Sequence, residues 1–281
     1  MARGKRIHTG RGRIMPFVTT DDGANIHFTD TGGDGPVLLL LHTIFMDTEM
    51  WDGQQALHPD YRVIAVDARG HGRTEDPGNP FDWWRLAWDC WAVLDHLGID
   101  TLVVGGIFQG GGIAMRMALQ QPRRIRGLIL IGSSAKPYDG EERAAYTRIL
   151  LKTWVLGDGP LEDITQPISA QMIGGTREQR AAWVEKWAID RRRPEAAVRS
   201  VIERESIVDV VSGITMPALL MCGIGDATHG RAIQEELAGH LGGPTQIEVI
   251  DAPGACHAVP YTHPELTNPV IRKWLENLPT D

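Results

Sequence analysis

Three stretches of this chain carry residue types that can do chemistry together. Met221–Asp226 reads MCGIGD and sets a carboxylate just after a short apolar run. Pro253–Glu265 reads PGACHAVPYTHPE and places His257 in the loop after another such run. A carboxylate that fixes one imidazole tautomer, and stabilises the imidazolium formed on proton abstraction, makes a general base. The third stretch, Val104–Ala114, reads VGGIFQGGGIA, an apolar run breaking into glycines. Glycines after a strand also cradle phosphates, but no G-x-x-x-x-G-K-[ST] is present, which disfavours phosphoryl chemistry. Cys90, Cys222 and Cys256 have no metal-ligand spacing, so the sequence offers no metal site and no cofactor site.

Two further stretches complete a pattern. Leu38–Trp51 reads LLLLHTIFMDTEMW and Val66–Pro77 reads VDARGHGRTEDP. Taken in chain order, the five stretches resemble the landmarks of the α/β-hydrolase fold superfamily, from about residue 24 to the end. The resemblance implies that Asp226 and His257 are the acid and base of a catalytic triad. It puts Phe108 where the nucleophile stands, between the two small residues Gly106 and Gly110 that let the sharp strand-to-helix turn close. It also implies an oxyanion hole from the backbone N–H groups of Ile44 and Gln109. Thr43 follows His42 where glycine is usual, either to add a hydroxyl donor or to pack against the loop. His42 is expected to be a structural residue of that loop, and Ser133 at most a pocket-lining one. Asp67, Arg69 and His71 are expected to hold loop geometry, His229 to lie at the surface, and Cys256 to pack as a small buried hydrophobe.

The nucleophile position is chemically empty. Val103 through Ile113 contains no Ser, Cys, Thr, Asp or Glu, and a phenyl ring neither attacks a carbonyl nor accepts a proton. In subtilisin, loss of the serine costs about six orders of magnitude in turnover. An efficient acyl-enzyme hydrolase of the usual kind is therefore disfavoured.

The elements that must position these residues are legible as a rhythm. Val37–Leu41, Arg62–Val66, Leu102–Ile107, Leu128–Ile131, Ala218–Cys222 and Gln246–Ile250 are strand-length apolar runs. Helical patterns lie between most of them, at Trp83–Leu97, Gly112–Gln120, Ala232–Leu241 and Pro264–Leu278. Alternation of this kind predicts an α/β fold with a doubly wound, mostly parallel sheet. Two leading strands, Met15–Thr20 and Asn25–Thr29, flank a turn at Asp21-Asp22-Gly23. On the helix from Trp83, the spacing of Trp84, Trp88 and Trp91 predicts one packed face.

The interval 136–212 breaks the rhythm with helical patterning and predicts an inserted cap over the sheet's carboxyl edge. Residues 14–135 and 213–281 then form the core, and 1–13 a basic arm. That arm holds Arg3, Lys5, Arg6, Arg11 and Arg13, so the net charge of −8 leaves about −13 on the rest. An acidic body argues against a nucleic-acid partner. No apolar run reaches the ~18 residues of a membrane span, and the arm lacks a secretory apolar stretch, so a cytoplasmic location is expected. A homodimer is compatible with all of this.

The expected function is an enzyme acting on a small, largely apolar carbonyl, ester or lactone compound, with His257 and Asp226 as base. Lyase, isomerase, cyclase or oxygenase chemistry and water-mediated hydrolysis all fit such a base. One alternative is a ligand-binding pseudoenzyme without turnover. Another is a serine ester hydrolase in which Phe108 has displaced the nucleophile.

Overall fold

A computed structural model describes residues 16–279. The basic arm at 1–13 lies outside the described residues. Eight strands form one sheet in the order β1-β2-β4-β3-β5-β6-β7-β8. They are β1 (Phe17–Thr19), β2 (Asn25–Asp30), β3 (Val37–Leu41), β4 (Arg62–Val66), β5 (Leu102–Ile107), β6 (Ile125–Ile131), β7 (Ala218–Gly223) and β8 (Thr245–Ile250). The β1–β2 and β2–β4 pairs are antiparallel, and all the others are parallel.

The central strands have almost no polar face because helices cover them on both sides. β5 and β7 are buried along their whole length, and Leu38, Leu39 and Leu40 of β3 are sealed from solvent. Each such leucine contributes on the order of 2 kcal/mol of burial, and truncating Leu39 to alanine would cost about 2–5 kcal/mol.

The covering helices include α1 (Trp83–His96) and α2 (Gln109–Gln120). Asp82 caps α1 by accepting from the Arg85 N–H at 2.7 Å. The buried stripe of α1 is Trp83, Leu86, Ala87, Cys90, Trp91 and Leu94, whereas Trp88 is half exposed. This corrects the face expected from Trp84, Trp88 and Trp91: the stripe obeys the i, i+3, i+4, i+7 spacing that starts at Trp83. α2 begins at Gln109, three residues before the helical pattern in the sequence, because Gly110, Gly111 and Gly112 hide its first turn from a hydrophobic-period test.

Between β6 and β7 the chain is helical throughout, apart from its loops. It forms α3 (Gly140–Tyr146), a π-helical stretch (Thr147–Val155), α4 (Glu162–Met172), α5 (Arg177–Ile189) and α6 (Glu195–Ile202). Then come α7 (Arg231–His240), the short α8 (Val259–Thr262) and α9 (Pro264–Glu276). The excursion is tied to the loop after β3. The Trp187 indole donates to the Phe45 carbonyl at 2.6 Å, the Phe45 ring stacks on Trp154 at 4.0 Å, and Lys186 pairs with Asp47 at 3.0 Å. No helix among the described residues is long and apolar enough to cross a membrane.

Candidate active site

Parallel strands deliver their following loops to one edge of the sheet. β3 leads into His42, Thr43 and Ile44; β5 into Phe108; β7 into Asp226; and β8 into the loop carrying His257. The sequence places these four loops far apart, and the strand order brings them together.

The turn after β5 is built to close tightly. A Cβ on Gly106 would stand 2.3 Å from the Gly110 carbonyl carbon, and one on Gly110 would stand 2.1 Å from the Leu41 oxygen. Phe108 sits at the apex with φ 47° and ψ −98°, and its carbonyl accepts from the Gly112 N–H at 2.8 Å. Left-handed backbone at a bulky residue costs about 1–3 kcal/mol. The strand-to-helix turn is therefore tight, and it carries a phenyl ring at its apex. That ring lies 4.9 Å from the His229 ring, 5.9 Å from His257 and 6.0 Å from Trp83, with the Arg204 guanidinium 5.3 Å from its centre.

His257 Nδ1 and Asp226 Oδ2 are 2.8 Å apart, both residues buried. The other carboxylate oxygen accepts from the Thr228 N–H and hydroxyl and from the His229 N–H, at 2.9–3.0 Å. Burial alone would push the Asp226 carboxyl up. The charge and hydrogen bond of His257, together with these donors, outweigh burial and hold it well below the usual carboxylate range. An ionised Asp226 then fixes the proton of His257 on Nδ1 and leaves Nε2 free to accept.

His257, Phe108, Thr43 and Ile44 line a cavity of about 410 Å³, closed from the excursion side by Tyr138, Tyr146, Leu150 and Met172. Neither the Ile44 nor the Gln109 backbone N–H has an acceptor among the described residues. The adjacent loop is held from behind. His71 Nε2 accepts from the Phe45 N–H at 3.1 Å, and His42 accepts from the Ala68 N–H at 2.9 Å while its Nδ1 meets the Thr43 carbonyl at 2.7 Å. The Asp67 carboxylate accepts from the Thr48 and Arg73 N–H groups, at 2.7 and 2.8 Å. Arg69 is clamped by Asp89 and Asp22. These residues hold loop geometry.

Three residues stand elsewhere than the sequence led one to expect. His229 is buried, not superficial, and lines the cavity beside His257. Burial and the neighbouring His257 push its imidazole down to about 3, so it is neutral at physiological pH. The tight turn that lets Asp226 accept from residues 228 and 229 swings it inward. Ser133 is fully buried, donates to the Ile131 carbonyl at 2.9 Å, and is not part of the cavity wall. Cys256 is only half-buried, and burial still pushes its thiol up, away from the thiolate a nucleophile needs. The Thr43 hydroxyl and both amide atoms of the Gln109 side chain are buried with no partner among the described residues.

Asp226, His229 and His257 bring a carboxylate oxygen and two ring nitrogens within 4.8 Å of one another, a grouping the sequence did not suggest. Every oxygen of Asp226 is already engaged, and the Arg204 charge lies against Phe108. The trio is better suited to handling protons than to holding a cation. Tyr138, Tyr146 and Arg204 were missed as well, because nothing in their spacing relates them to β5.

Comparison with known proteins bears on the family and the fold. A family model described as alpha/beta hydrolase fold matches residues 36–157. A non-heme haloperoxidase of Rhodococcus erythropolis is 27% identical over 94% of this chain and 100% of its own length. A 3-oxoadipate enol-lactonase of Acinetobacter baylyi is 28% identical over 84% of this chain and 88% of its own. Among solved structures, a thermophilic esterase from Thermogutta terrifontis superposes with TM-score 0.80 at 25% identity, covering 94% of this chain and 98% of that one.

Proposed function

The chain belongs to the α/β-hydrolase fold superfamily, and from that premise we propose an enzyme that opens a small, largely apolar ester or lactone with water, using His257 as general base. One observation carries this: an imidazole oriented by Asp226 at 2.8 Å lines the same cavity as the oxyanion loop. His257 Nε2 takes a proton from a bound water, and the water oxygen bonds to the substrate carbonyl carbon. The carbonyl oxygen gathers negative charge, which the Ile44 and Gln109 N–H groups stabilise. As the carbon–oxygen bond to the leaving group breaks, the imidazolium returns the proton to the departing oxygen, yielding acid and alcohol. His229, neutral and with no hydrogen bond to its ring nitrogens among the described residues, is the second group positioned to hold that water. The β6–β7 excursion serves as the cap, and Phe108 as an apolar floor.

The names of the relatives favour this over the other chemistry open to the same base, since one is called an enol-lactonase and a structural neighbour an esterase. Proton abstraction from substrate carbon would use the same base and donors, for lyase or isomerase chemistry. The test is a panel of short lactones and activated esters hydrolysed in ¹⁸O-labelled water, with mass spectrometry of the protein during turnover. Label in the product acid, no acyl adduct on the chain, and loss of the rate in His257→Ala are expected. A covalent acyl intermediate, or an undiminished rate in His257→Ala, would overturn the proposal. Retention of the intact compound with no product would favour the ligand-binding alternative, which the phenyl ring beside His257 makes worth testing.

A further inference from the structure

A second cavity, of about 740 Å³, lies beside the first, between α1, α2 and α6. Arg116 and Arg204 both line it, and both are buried. The two guanidiniums stand over the Trp83 ring, at 5.2 and 5.6 Å from its centre, and Arg116 is also 5.3 Å from that of Trp84.

These charges are poorly compensated. Among the described residues neither arginine forms an ion pair. Arg116 reaches the carbonyls of Gly112 and Glu205, and Arg204 those of Lys136 and Val201 besides the Tyr138 hydroxyl, all uncharged partners. The Arg116 Nε is buried with no hydrogen-bond partner among the described residues. Burial lowers the Arg116 guanidinium to about 10, with the charges of Glu205 and Asp82 giving only part of the balance. A guanidinium presents five donors in a planar fork. Removing two such groups from water is costly unless an anion meets them.

None of the acids around the cavity forms an ion pair with either arginine. Glu195 pairs with Arg199, Asp76 accepts from the Gly70 and Gly78 N–H groups, Asp82 caps α1, the Glu205 carboxylate takes the Trp84 indole N–H, and Glu203 is exposed. With those carboxylates at the rim, a single negative charge is tolerated better than the doubled charge of a phosphate. The indoles and Phe81 add flat apolar wall, against which a planar body can lie.

We propose that this cavity binds a small organic carboxylate with an apolar or aromatic body, its carboxylate held by Arg116 and Arg204. The site is separate from the one containing His257. Two of its side chains touch that site: Arg204 lies 3.7 Å from the centre of the Tyr138 ring and 5.3 Å from that of Phe108, and the Trp83 ring meets Phe108 edge-on at 6.0 Å, Tyr138 and Phe108 both being walls of the smaller cavity.

The experiment titrates the full-length chain with phenylacetate, phenylacetamide and inorganic phosphate, by calorimetry and by melting temperature. Phenylacetate should bind and raise the melting temperature, whereas phenylacetamide should not. Arg116→Gln and Arg204→Gln should each weaken phenylacetate at least tenfold, and each variant's circular dichroism and unliganded melting curve establishes that it is folded. His257→Ala should bind phenylacetate as the wild type does. Equal binding of the amide, a preference for phosphate, or loss of binding in His257→Ala with none in the arginine variants would each overturn the assignment. So would a wild-type protein that binds none of the three.

Discussion

Among the described residues are two buried histidine–aspartate pairs of nearly equal length, set in very different surroundings. His27 Nδ1 lies 2.7 Å from Asp67 Oδ2, and His257 Nδ1 lies 2.8 Å from Asp226 Oδ2. In both, backbone N–H groups supply further donors to the carboxylate. In both, these partners outweigh burial and hold the acid below its ordinary range. The difference lies on the far side of the ring. His27 packs against Phe17 at 5.1 Å between ring centres, beneath the loop that Asp67 organises. His257 lines a cavity with Thr43 and Ile44, and its Nε2 has no hydrogen bond among the described residues. A short contact to a carboxylate thus orients an imidazole, and what the other nitrogen faces decides whether it is a base.

The largest effects should separate the pairs by readout. His257→Ala is expected to lower ester or lactone turnover by about 10²–10⁴-fold, the usual contribution of a positioned base. His27→Ala should leave turnover within a few-fold while costing stability by about 3 kcal/mol, because Asp67 loses its buried partner. Urea unfolding and steady-state rates on both variants check this. If His27→Ala abolished turnover in a protein that remained folded, the contrast between the pairs would fail.

Phe108→Ser sharpens the same comparison at the elbow. Its φ of 47° and the glycine contacts around it give the tight strand-to-helix turn that a nucleophile would need. A serine hydroxyl there would face the imidazole across the gap that the phenyl ring now fills. The variant should gain hydrolysis of activated short esters with an acyl intermediate visible by mass spectrometry, and the double variant Phe108→Ser/His257→Ala should lose it. A folded Phe108→Ser protein with no gain would mean that His257 is no longer aimed at the elbow.

How much of this was legible depends on what each element needed from its neighbours. β3, β5 and β7 announce themselves because a strand covered on both faces must be apolar along its length, and no tertiary detail alters that. Gly106 and Gly110 were legible because a tight turn demands a narrow choice of residue, and the Asp226–His257 pair because a carboxylate and an imidazole each follow an apolar run. Arg204 and Tyr138 were not. Their role comes from α6 and the β6–β7 loop folding back over Phe108, across about a hundred residues of chain. His229 lay between these cases. Its position three residues after Asp226 was visible, but its burial depends on a turn stabilised by its own N–H reaching the Asp226 carboxylate.

The smallest expected effect concerns that residue and the pH dependence of stability. Burial pushes His229 and His71 each down to about 3. In the unfolded chain each returns to the ordinary value of about 6.5 and takes up a proton first. Between about pH 6.5 and 3 the unfolded state therefore binds more protons, and stability falls as pH falls. Each histidine contributes a slope of up to about 1.4 kcal/mol per pH unit. Asp226 acts in the same direction but only at the acid end, since its stabilisation is lost as pH falls below the ordinary carboxylate value. The window from about pH 6 to 4.5 thus isolates the histidines. Unfolding free energies measured by urea across that window should steepen for the wild type, and His229→Phe should reduce the slope by about one proton. Its phenyl ring would fill the same apolar wall against Phe108, so the loss of slope need not come with loss of fold. An unchanged slope would mean that His229 already carries its proton in the folded state, in which case it could not help His257 hold a neutral water.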